Sequence, residues 1–472
     1  MTDHSHSPHG FSSGPLKRVG KSLLQPRGKA RLLDDFVLLL WEGYAGAQRG
    51  LQLLRHADVG AEGGVSAGGL GQQAERYLRP AFWHEHILEN ILPFWERHSV
   101  DQEFGGFRVP NVLRNGQAPD PRAPRAPEWQ ARMVYGFSVG YDVGGRASDL
   151  RIATHGIQFL LDKLWDPEFG GWHGSVYPDG KLAGEQRKIS TQAYTLVGLL
   201  EYYRLTRDTA VLERVLESYE LLEHHAWDGQ RLGYYESCNR DWTPKSTRKT
   251  LCVQLAVFSA VLSLYRLTGE GVYLARLRQL ADLIAARMRD RRHRTALEIF
   301  DANWVYQALP MRDMIEVGHN LKAGRLLLEL YELTGDQAHY GPAKELIDYS
   351  VAHGWDARHD GFYYNLYRNG LVARGDKGWW GESEGIPALL LLHKLSGERI
   401  YLDYFTRLAE FCFRHFVDPM YGEWYKWCYA DGRVKSSDKR DAFHTVQAAW
   451  YASRYLAEIR KVEAPPPQYQ RG

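Results

Sequence analysis

The chain carries apolar side chains at helical spacing in four long segments. Residues 191–203, 251–267, 322–333 and 388–395 place Leu, Val, Ala or aromatic residues at positions i, i+3, i+4 and i+7. Many of these segments are apolar on more than one face, which is typical of helices that pack between neighbours. The pattern therefore predicts several buried helices.

A turn built on glycine recurs through the same region. Glycines flanked by aromatic or apolar residues lie at positions 105, 170, 233, 361 and 422, and a degenerate turn is expected at 299–301. Neighbouring turns are 61 to 67 residues apart. Short aromatic runs follow several of the turns and predict local β-hairpins.

A second marker repeats with the same period. Leu followed by Thr or Ser leads into Arg207, Gly269, Gly335 and Gly397, at spacings of 62, 66 and 62 residues. A glycine after an apolar run is typical of a helix that ends in a left-handed residue. The two markers are offset by about half a repeat, so they indicate opposite ends of helix pairs.

Helix pairs of about sixty residues cannot bury their apolar faces singly, and repetition buries them either in an open solenoid or in a closed ring. Solenoid repeats are usually shorter, at about 33–47 residues. The sequence therefore predicts an all-α fold, an (α/α)6 barrel of six helical hairpins with short β-hairpins in the loops at its mouth. An α-solenoid scaffold is the alternative.

Composition divides the chain into three parts. Residues 1–80 include stretches rich in Ser, Gly, Pro and His, with too few periodic apolar residues to fold alone, although 31–57 could form a helix. Residues 81–460 carry the repeats and are expected to form the catalytic barrel, and 461–472 form a proline-rich tail.

Charge and cysteine content exclude several classes of function. The 59 Lys and Arg against 57 Asp and Glu give a formal charge of +2, which does not favour nucleic acid or an anionic membrane as partner. No run approaches the ~20 apolar residues of a membrane span, and the N-terminus does not resemble a signal peptide. The four cysteines form no C-x-x-C pair, so a cytoplasmic, reducing setting is expected.

Two histidines stand where polar residues interrupt the starts of apolar helices. His319 precedes the helical segment 323–333, and His444 precedes 448–456. The helix dipole is expected to lower the pKa of such a histidine, which would leave it neutral and able to accept a proton. In a ring of helix pairs the two imidazoles could face one cavity.

Two further segments carry candidate chemistry. Trp379 and Trp380 precede Glu384, and Trp faces with nearby carboxylates suit the apolar face and hydroxyls of a sugar. Arg132 precedes the apolar segment 133–139 and could hold a developing oxyanion.

Several cofactor and metal motifs are missing from the sequence. There is no G-x-G-x-x-G, G-x-x-x-x-G-K-[ST] or H-E-x-x-H motif. His293 and the pair His224 and His225 lack ligand partners at a recognisable spacing. We therefore expect no metal and no cofactor, a small-molecule carbohydrate as ligand, and a monomer or homodimer.

The order of these motifs resembles the N-acylglucosamine 2-epimerase superfamily, which includes cellobiose 2-epimerases and mannose-type aldose–ketose isomerases. The resemblance covers about residues 81–460. It runs through Pro93-Phe94-Trp95, Gly105-Gly106-Phe107, Trp129-Gln-Ala-Arg132, Gly318-His319, Trp379-Trp380 with Glu384, and Phe443-His444. The family fold is an (α/α)6 barrel.

The resemblance implies an isomerase that transfers a proton without metal or cofactor. One of His319 and His444 would remove the C2 proton of an opened reducing sugar, and the other would reprotonate the cis-enediolate. Arg132 would stabilise the enediolate oxygen, Glu384 would orient a neighbouring group, and Trp380 would stack on the sugar ring. Further candidates for substrate binding are Trp379, Gln254, Tyr194, Lys322, Glu236 and Asn320.

Three departures from the family pattern argue against cellobiose as substrate and indicate a changed sugar or altered chemistry. Lys322 stands where G-H-x-x-E has its glutamate, and we expect it either to lower the pKa of His319 further or to bind an anionic substituent. The loop before His444 lacks the family tryptophan, and residues 249–256 carry neither histidine of the K-x-x-N-x-H-L-H segment.

Two other functions remain open from the sequence. An inverting glycoside hydrolase on the same barrel would pair Glu384 with Glu236 or Asp241 across the cavity. A non-catalytic carbohydrate-binding protein is the third hypothesis, since Lys322 and the missing tryptophan alter the surroundings of the two histidines.

Overall fold

The structure is a computed structural model that describes residues 72–117, 120–307 and 313–463. The expected helix at 31–57 and nearly all of the proline-rich tail lie outside these ranges. In chain order the helices are α1 (Gln72–Glu75), α2 (Pro80–Glu85), α3 (Leu92–Ser99), α4 (Pro127–Gly144), α5 (Ala147–Phe159), α6 (Ile189–Thr206), α7 (Thr209–Leu221), α8 (Leu251–Thr268), α9 (Gly271–Asp282), α10 (Val317–Thr334), α11 (Gln337–Tyr349), α12 (Trp379–Ser396), α13 (Arg399–His415) and α14 (Phe443–Glu463).

Six helices form a closed inner ring. Helices α4, α6, α8, α10, α12 and α14 each pack against the next, and α14 returns to pack against α4. Their side chains are buried on several faces because the ring lies inside the outer helices α5, α7, α9, α11 and α13. The predicted (α/α)6 barrel is confirmed, and ring closure removes the solenoid alternative.

The sixth helix pair joins the two ends of the barrel sequence. Helix α2 packs against α14, so this pair is not a hairpin of consecutive helices. Tyr77, before α2, is fully buried and contacts the rings of Phe82 and Phe413. The folded unit therefore begins before residue 81.

Helix α8 owes its apolar sequence to its place in this ring. By length and composition Leu251–Thr268 could cross a membrane, with a mean hydropathy of 1.6. In the barrel it is an inner helix with 61% of that segment buried. Its composition is therefore that of a core helix.

Short strands connect the outer helices to the inner ones at the mouth, as predicted. They are β1 (Ser175–Val176), β2 (Leu182–Gly184), β3 (Arg187–Lys188), β4 (Ser237–Cys238), β5 (Pro244–Ser246), β6 (Lys249–Thr250), β7 (Arg289–Asp290), β8 (Thr295–Ala296), β9 (Ile299–Phe300), β10 (Met314–Glu316), β11 (Asn365–Tyr367), β12 (Val372–Arg374), β13 (Lys377–Gly378), β14 (Trp427–Cys428) and β15 (Val434–Ser436). Antiparallel sheets form in the orders β3-β4-β5, β10-β11-β12 and β13-β14-β15, with two-stranded pairs β1-β2, β6-β9 and β7-β8.

In five of the recurring turns, an aspartate pairs with a cation that precedes the next inner helix. Asp166 accepts hydrogen bonds from two backbone N–H groups of its own turn and pairs with Arg187 at 2.7 Å. Buried pairs of the same kind join Asp101 to Arg125, Asp228 to Lys249, Asp356 to Lys377 and Asp418 to Lys439. Because each cation immediately precedes an inner helix or its first turn, the pairs hold the mouth loops against the ring.

The degenerate turn lies earlier than the sequence indicated. The fourth residue after each turn aspartate has a positive φ, and in the fourth repeat this residue is Arg294 with φ 59°, after Asp290. The expected turn at 299–301 overlaps strand β9 instead. The helix ends were predicted correctly, since Arg207, Gly269, Gly335 and Gly397 are all left-handed caps with φ between 58° and 72°.

Candidate active site

The mouth of the barrel opens into a cavity of about 710 Å³. Its walls come from strands β3 to β6, β9 and β10 and from the first turns of α6, α8 and α10. Charged groups on the walls are Lys188, Glu236, Lys245, Arg248, Glu298, Glu316 and His319. The volume lies in the upper half of the range of about 300–1,000 Å³ that is usual for small-molecule sites.

His319 lines this cavity from the first turn of α10. The helix begins at Val317, two residues before the histidine, so it starts earlier than the apolar pattern indicated. The Nδ1 atom of His319 is 2.9 Å from Oε2 of Glu298, and the other oxygen of Glu298 accepts the backbone N–H of Glu316 at 3.1 Å. The imidazole is therefore held by a carboxylate that is itself fixed to the helix start.

The expected low pKa of His319 is wrong. Burial alone would lower this pKa, but the carboxylates of Glu298 and Glu316 and a hydrogen bond with Cys252 outweigh burial. The pKa is raised well above the ordinary value of 6.5. The effect of the two nearby carboxylates on the pKa of His319 thus exceeds that expected of the helix dipole. The imidazole of His319 is therefore favoured in its protonated form.

His444 lies in the first turn of α14 and is buried, with 6% of its surface exposed. Its Nδ1 atom is 3.3 Å from Oε1 of Glu384, without the geometry of a formed hydrogen bond. Burial lowers the pKa of His444, and the charge of Arg132 lowers it further, against the opposing effect of Glu384. His444 is therefore poised as the neutral imidazole.

The indole of Trp380 adjoins both histidines. Its ring centroid is 5.1 Å from that of His319 and 6.0 Å from that of His444. Close approach to α10 depends on Gly318, where a Cβ would lie 2.6 Å from the indole. Trp379 packs its ring edgewise against His444 at 6.1 Å. Neither His444 nor Trp380 lines the open cavity, which His319 does.

A chain of polar contacts crosses the barrel at one level of the inner helices. Arg132 stacks on the ring of Tyr194 at 4.7 Å, and Tyr194 accepts a hydrogen bond from Lys322 at 2.9 Å. Lys322 in turn is 3.4 Å from Glu384, which contacts His444. Four of the residues that the sequence singled out thus meet His444 in one connected layer.

Lys322 does not have either role that the sequence suggested for it. Its side chain is buried between Glu384 and Tyr194, and its pKa is raised because the attraction of Glu384 outweighs burial. A buried cation that is already paired has no free contact for an anionic substituent. Lys322, together with Arg325, instead holds the pKa of Glu384 well below its usual range although burial raises it.

Gln254 and Asn320, expected to bind substrate, have their amides engaged in holding the turns. Gln254 accepts the N–H of Tyr234 at 2.9 Å and donates to its carbonyl at 2.8 Å. Asn320 accepts the N–H of Ala296 and donates to Thr295, each at 2.8 Å. Both are fully buried and outside the cavity walls, so the structure corrects these two assignments.

The same position in the repeat explains why the side chain of His444 is not needed to bind the turn backbone. Gln130 and Gln192 bind the backbone after their turns as Gln254 does, each five residues after the turn cation. His444 occupies the corresponding position after Lys439. There the side chain of Glu423 accepts the N–H of Trp424 at 2.8 Å, so the sixth helix can carry an imidazole.

Glu236 lines the cavity as expected, but the hydrolase pairing fails. Its carboxylate binds Arg248 through two oxygens, at 3.0 and 2.8 Å. Glu384 does not line this cavity and is held ionised by Lys322 and Arg325, so it cannot act as a general acid. Asp241 is exposed and bonded to Thr243.

Glu298 and Cys252, the partners of His319, were not predicted from the sequence. Glu298 lies eight residues after Asp290, as Glu236 lies eight residues after Asp228. Placing the degenerate turn at 290–295 would have aligned the two glutamates, so the signal was present. Among the described residues, no three His, Cys, Asp or Glu side chains converge as a metal-binding set.

Comparison with known proteins agrees with this architecture. The family model for N-acylglucosamine 2-epimerase (GlcNAc 2-epimerase) matches residues 105–448. Cellobiose 2-epimerase of Bacteroides fragilis is 26% identical over 372 residues, covering 76% of this chain and 93% of the relative. D-mannose isomerase of Marinomonas mediterranea is 23% identical, covering 79% of this chain and 97% of the relative.

A solved structure has the same fold. Cellobiose 2-epimerase from Spirochaeta thermophila superposes with a TM-score of 0.73 at 24% identity, covering 83% of this chain and all of that one. The family match spans most of the barrel and includes Arg132, His319, Glu384 and His444. This protein belongs to the N-acylglucosamine 2-epimerase family.

Proposed function

We propose that this protein is a cofactor-independent aldose 2-epimerase or aldose–ketose isomerase that acts on a reducing sugar. Membership of a family of sugar epimerases and isomerases supports the reaction class. The observation that carries the mechanism is the pair of histidines beside Trp380, whose pKa values are shifted in opposite directions.

His444 acts as the base on the opened sugar. Its neutral imidazole removes the C2 proton, the electron pair of the C2–H bond becomes the C1–C2 double bond, and negative charge moves to O1. The Nε of Arg132 is buried without a hydrogen-bond partner among the described residues and donates to that oxygen. A preorganised cation at the developing charge lowers the barrier without reorganisation.

His319 acts as the acid. Its protonated imidazole, stabilised by Glu298, returns a proton to the enediolate. Delivery to C2 from the opposite face inverts that carbon and restores the C1 carbonyl, which gives the epimer. Delivery to C1, with transfer of the O2 hydrogen to the O1 oxyanion, gives the C2 carbonyl of the ketose. Acid and base of this kind contribute about 10²–10⁴-fold each.

Trp380 sets the position of the reacting carbons. The indole contacts both imidazoles, and the C1–C2 end of the sugar lies against it when the sugar passes beyond the open cavity to reach His444. Glu384 keeps the second imidazole in place. Lys322, which donates to Tyr194, and Arg325 keep Glu384 ionised.

Proton NMR of sugars in deuterated buffer tests this function. With mannose, glucose, N-acetylglucosamine and cellobiose as probes, we expect at least one to gain deuterium at C2 while a 2-epimer or ketose appears. Loss of conversion in both His319→Asn and His444→Asn, with folding retained, supports the assignment. Cleavage of the cellobiose glycosidic bond without exchange would instead indicate a hydrolase, and binding without any reaction would indicate a non-catalytic protein.

A further inference from the structure

One wall of the cavity carries uncompensated positive charge. Lys188 on β3, Lys245 on β5 and Arg248 all line it. Arg248 is neutralised by Glu236 at 2.8 Å. The side chains of Lys188 and Lys245 make no ion pair or hydrogen bond with any described residue, and both residues are exposed and line the cavity.

Comparison within the repeat shows that Lys245 has lost a partner. Lys435 lies 17 residues after its turn aspartate, as Lys245 does, and it pairs with Asp376 of the preceding repeat. The position that corresponds to Asp376 before Lys245 is Gln186, which donates to Ser237 instead. A neutral amide therefore replaces the carboxylate.

The positive charge at position 188 is also particular to this wall of the cavity. It caps the inner helix α6, and the residues that cap α4, α8, α10 and α12 are Ala126, Thr250, Glu316 and Gly378. Among these five caps it is the single cation, so the fold itself does not require a lysine there.

Lys188 and Lys245 lie at the opposite end of the cavity from His319. Helix α8 separates α6, which Lys188 caps, from α10, which carries His319. At the usual 8–10 Å between packed helices, the separation along the ring is roughly 16–20 Å. Glu298 and Glu316 surround His319, so an anion would be repelled at that end and attracted at the lysine end.

We propose that the substrate is an acidic reducing disaccharide, whose non-reducing sugar carries a carboxylate that Lys188 and Lys245 bind. This inference rests on the proposed function and specifies its substrate class. The reducing sugar reaches His319, and the second sugar spans the cavity to the β3-β4-β5 sheet. Opposite charges at the two ends of the cavity fix the direction in which the disaccharide enters.

The test compares two disaccharides that differ by one carboxylate, cellobiose and cellobiouronic acid. At low salt we expect kcat/KM for C2 exchange to favour the acid by about tenfold, as two charge-assisted contacts allow. In Lys188→Gln/Lys245→Gln the preference should fall to about one. The control Lys181→Gln/Lys435→Gln removes the same charge outside the cavity walls and should keep the wild-type preference.

Calorimetric titration separates failure of this inference from failure of the proposed function. Tighter binding of the acid that depends on the two lysines, without exchange in either sugar, would uphold the substrate class and refute the reaction. Exchange of both sugars at equal kcat/KM, or a preference that survives in the double lysine variant, would overturn the inference. Binding of neither sugar would overturn it as well.

Discussion

The pKa values of His319 and His444 are shifted in opposite directions, because their surroundings differ in charge. Glu298 and Glu316 raise the pKa of His319 against the effect of burial, whereas burial and then Arg132 lower that of His444. A proton transfer across a carbon needs one group that holds a proton and one that lacks it. The two pKa shifts therefore support the roles proposed for His319 as acid and His444 as base.

This asymmetry predicts a bell-shaped pH profile. Activity requires neutral His444, so kcat/KM should fall as pH drops through a pKa below 6.5. It also requires protonated His319, so kcat/KM should fall as pH rises through a pKa above 6.5. Initial rates across pH measure both limbs, and a profile with one limb alone would contradict the assignment.

Glu298 should control the alkaline limb of that profile. In Glu298→Gln the amide still contacts Nδ1 but the negative charge is gone, so the pKa of His319 and with it the alkaline limb should move to lower pH. Glu236→Gln, which removes a carboxylate from the same cavity without contacting His319, should leave the limb in place. An unmoved limb in Glu298→Gln would show that this carboxylate does not tune His319.

At the scale of the element, the helix ends were predictable, whereas the starts of α10 and α12 were not. The left-handed caps follow from a local signal, an apolar run closed by glycine. The starts of α10 and α12 contain Gly318, His319 and Trp380, which interrupt the apolar period because they serve the cavity and the contact with the neighbouring helix. Tertiary packing keeps these segments helical although their own pattern is poor.

The caps give a matched stability test. Arg207 adopts φ 58° where α8 ends on Gly269 with φ 70°. A side chain in this conformation costs about 1–2 kcal/mol, so Arg207→Gly should raise the thermal unfolding midpoint and Gly269→Ala should lower it. Scanning calorimetry of both variants measures the two shifts, and shifts of the same sign would refute the left-handed assignment.

At the scale of the whole molecule, charged side chains from several inner helices meet near the barrel axis. Lys322 and Arg325 from α10 bind Glu384 from α12, and Arg325 also binds Glu329. Because these groups are buried, each cation offsets the desolvation of the carboxylate beside it. The layer therefore fixes the inner helices relative to one another, and with them the position of His444.

We therefore expect substitution of Lys322 to lower the free energy of unfolding more than it changes substrate specificity. Lys322→Met leaves Glu384 partly unpaired and should cost about 3–5 kcal/mol, the usual effect of breaking a buried pair. Lys322→Glu restores the family residue but places a second carboxylate beside Glu384, so it should destabilise more. Urea unfolding of both variants, with Lys181→Met as an exposed control, tests this order. A Lys322→Glu protein as stable as wild type would contradict the role of the layer.

The sequence predicted the architecture because the repeat is long, regular and apolar. It also singled out His319, His444, Arg132, Glu384 and Trp380. The structure places both histidines beside Trp380 and Glu384 beside His444, and the roles of these residues stay predictions. It did not predict the partners of His319, since Glu298 comes from a loop whose turn lacks glycine. Gln254, Asn320 and Lys322 were misread because a buried polar residue and a ligand-binding one look alike until their hydrogen bonds are known.

The central claim is that His319 and His444 act on opposite faces of one carbon, and epimer-resolved exchange tests it most directly. Each 2-epimer of a substrate is incubated in deuterated buffer with His319→Asn or His444→Asn, and loss of the C2 proton signal is followed. The two-histidine mechanism predicts that neither variant interconverts the epimers. Each variant should exchange the C2 proton of only one epimer, and the epimer should differ between the two variants. Exchange of the same epimer by both variants, or unimpaired interconversion by either, would contradict it.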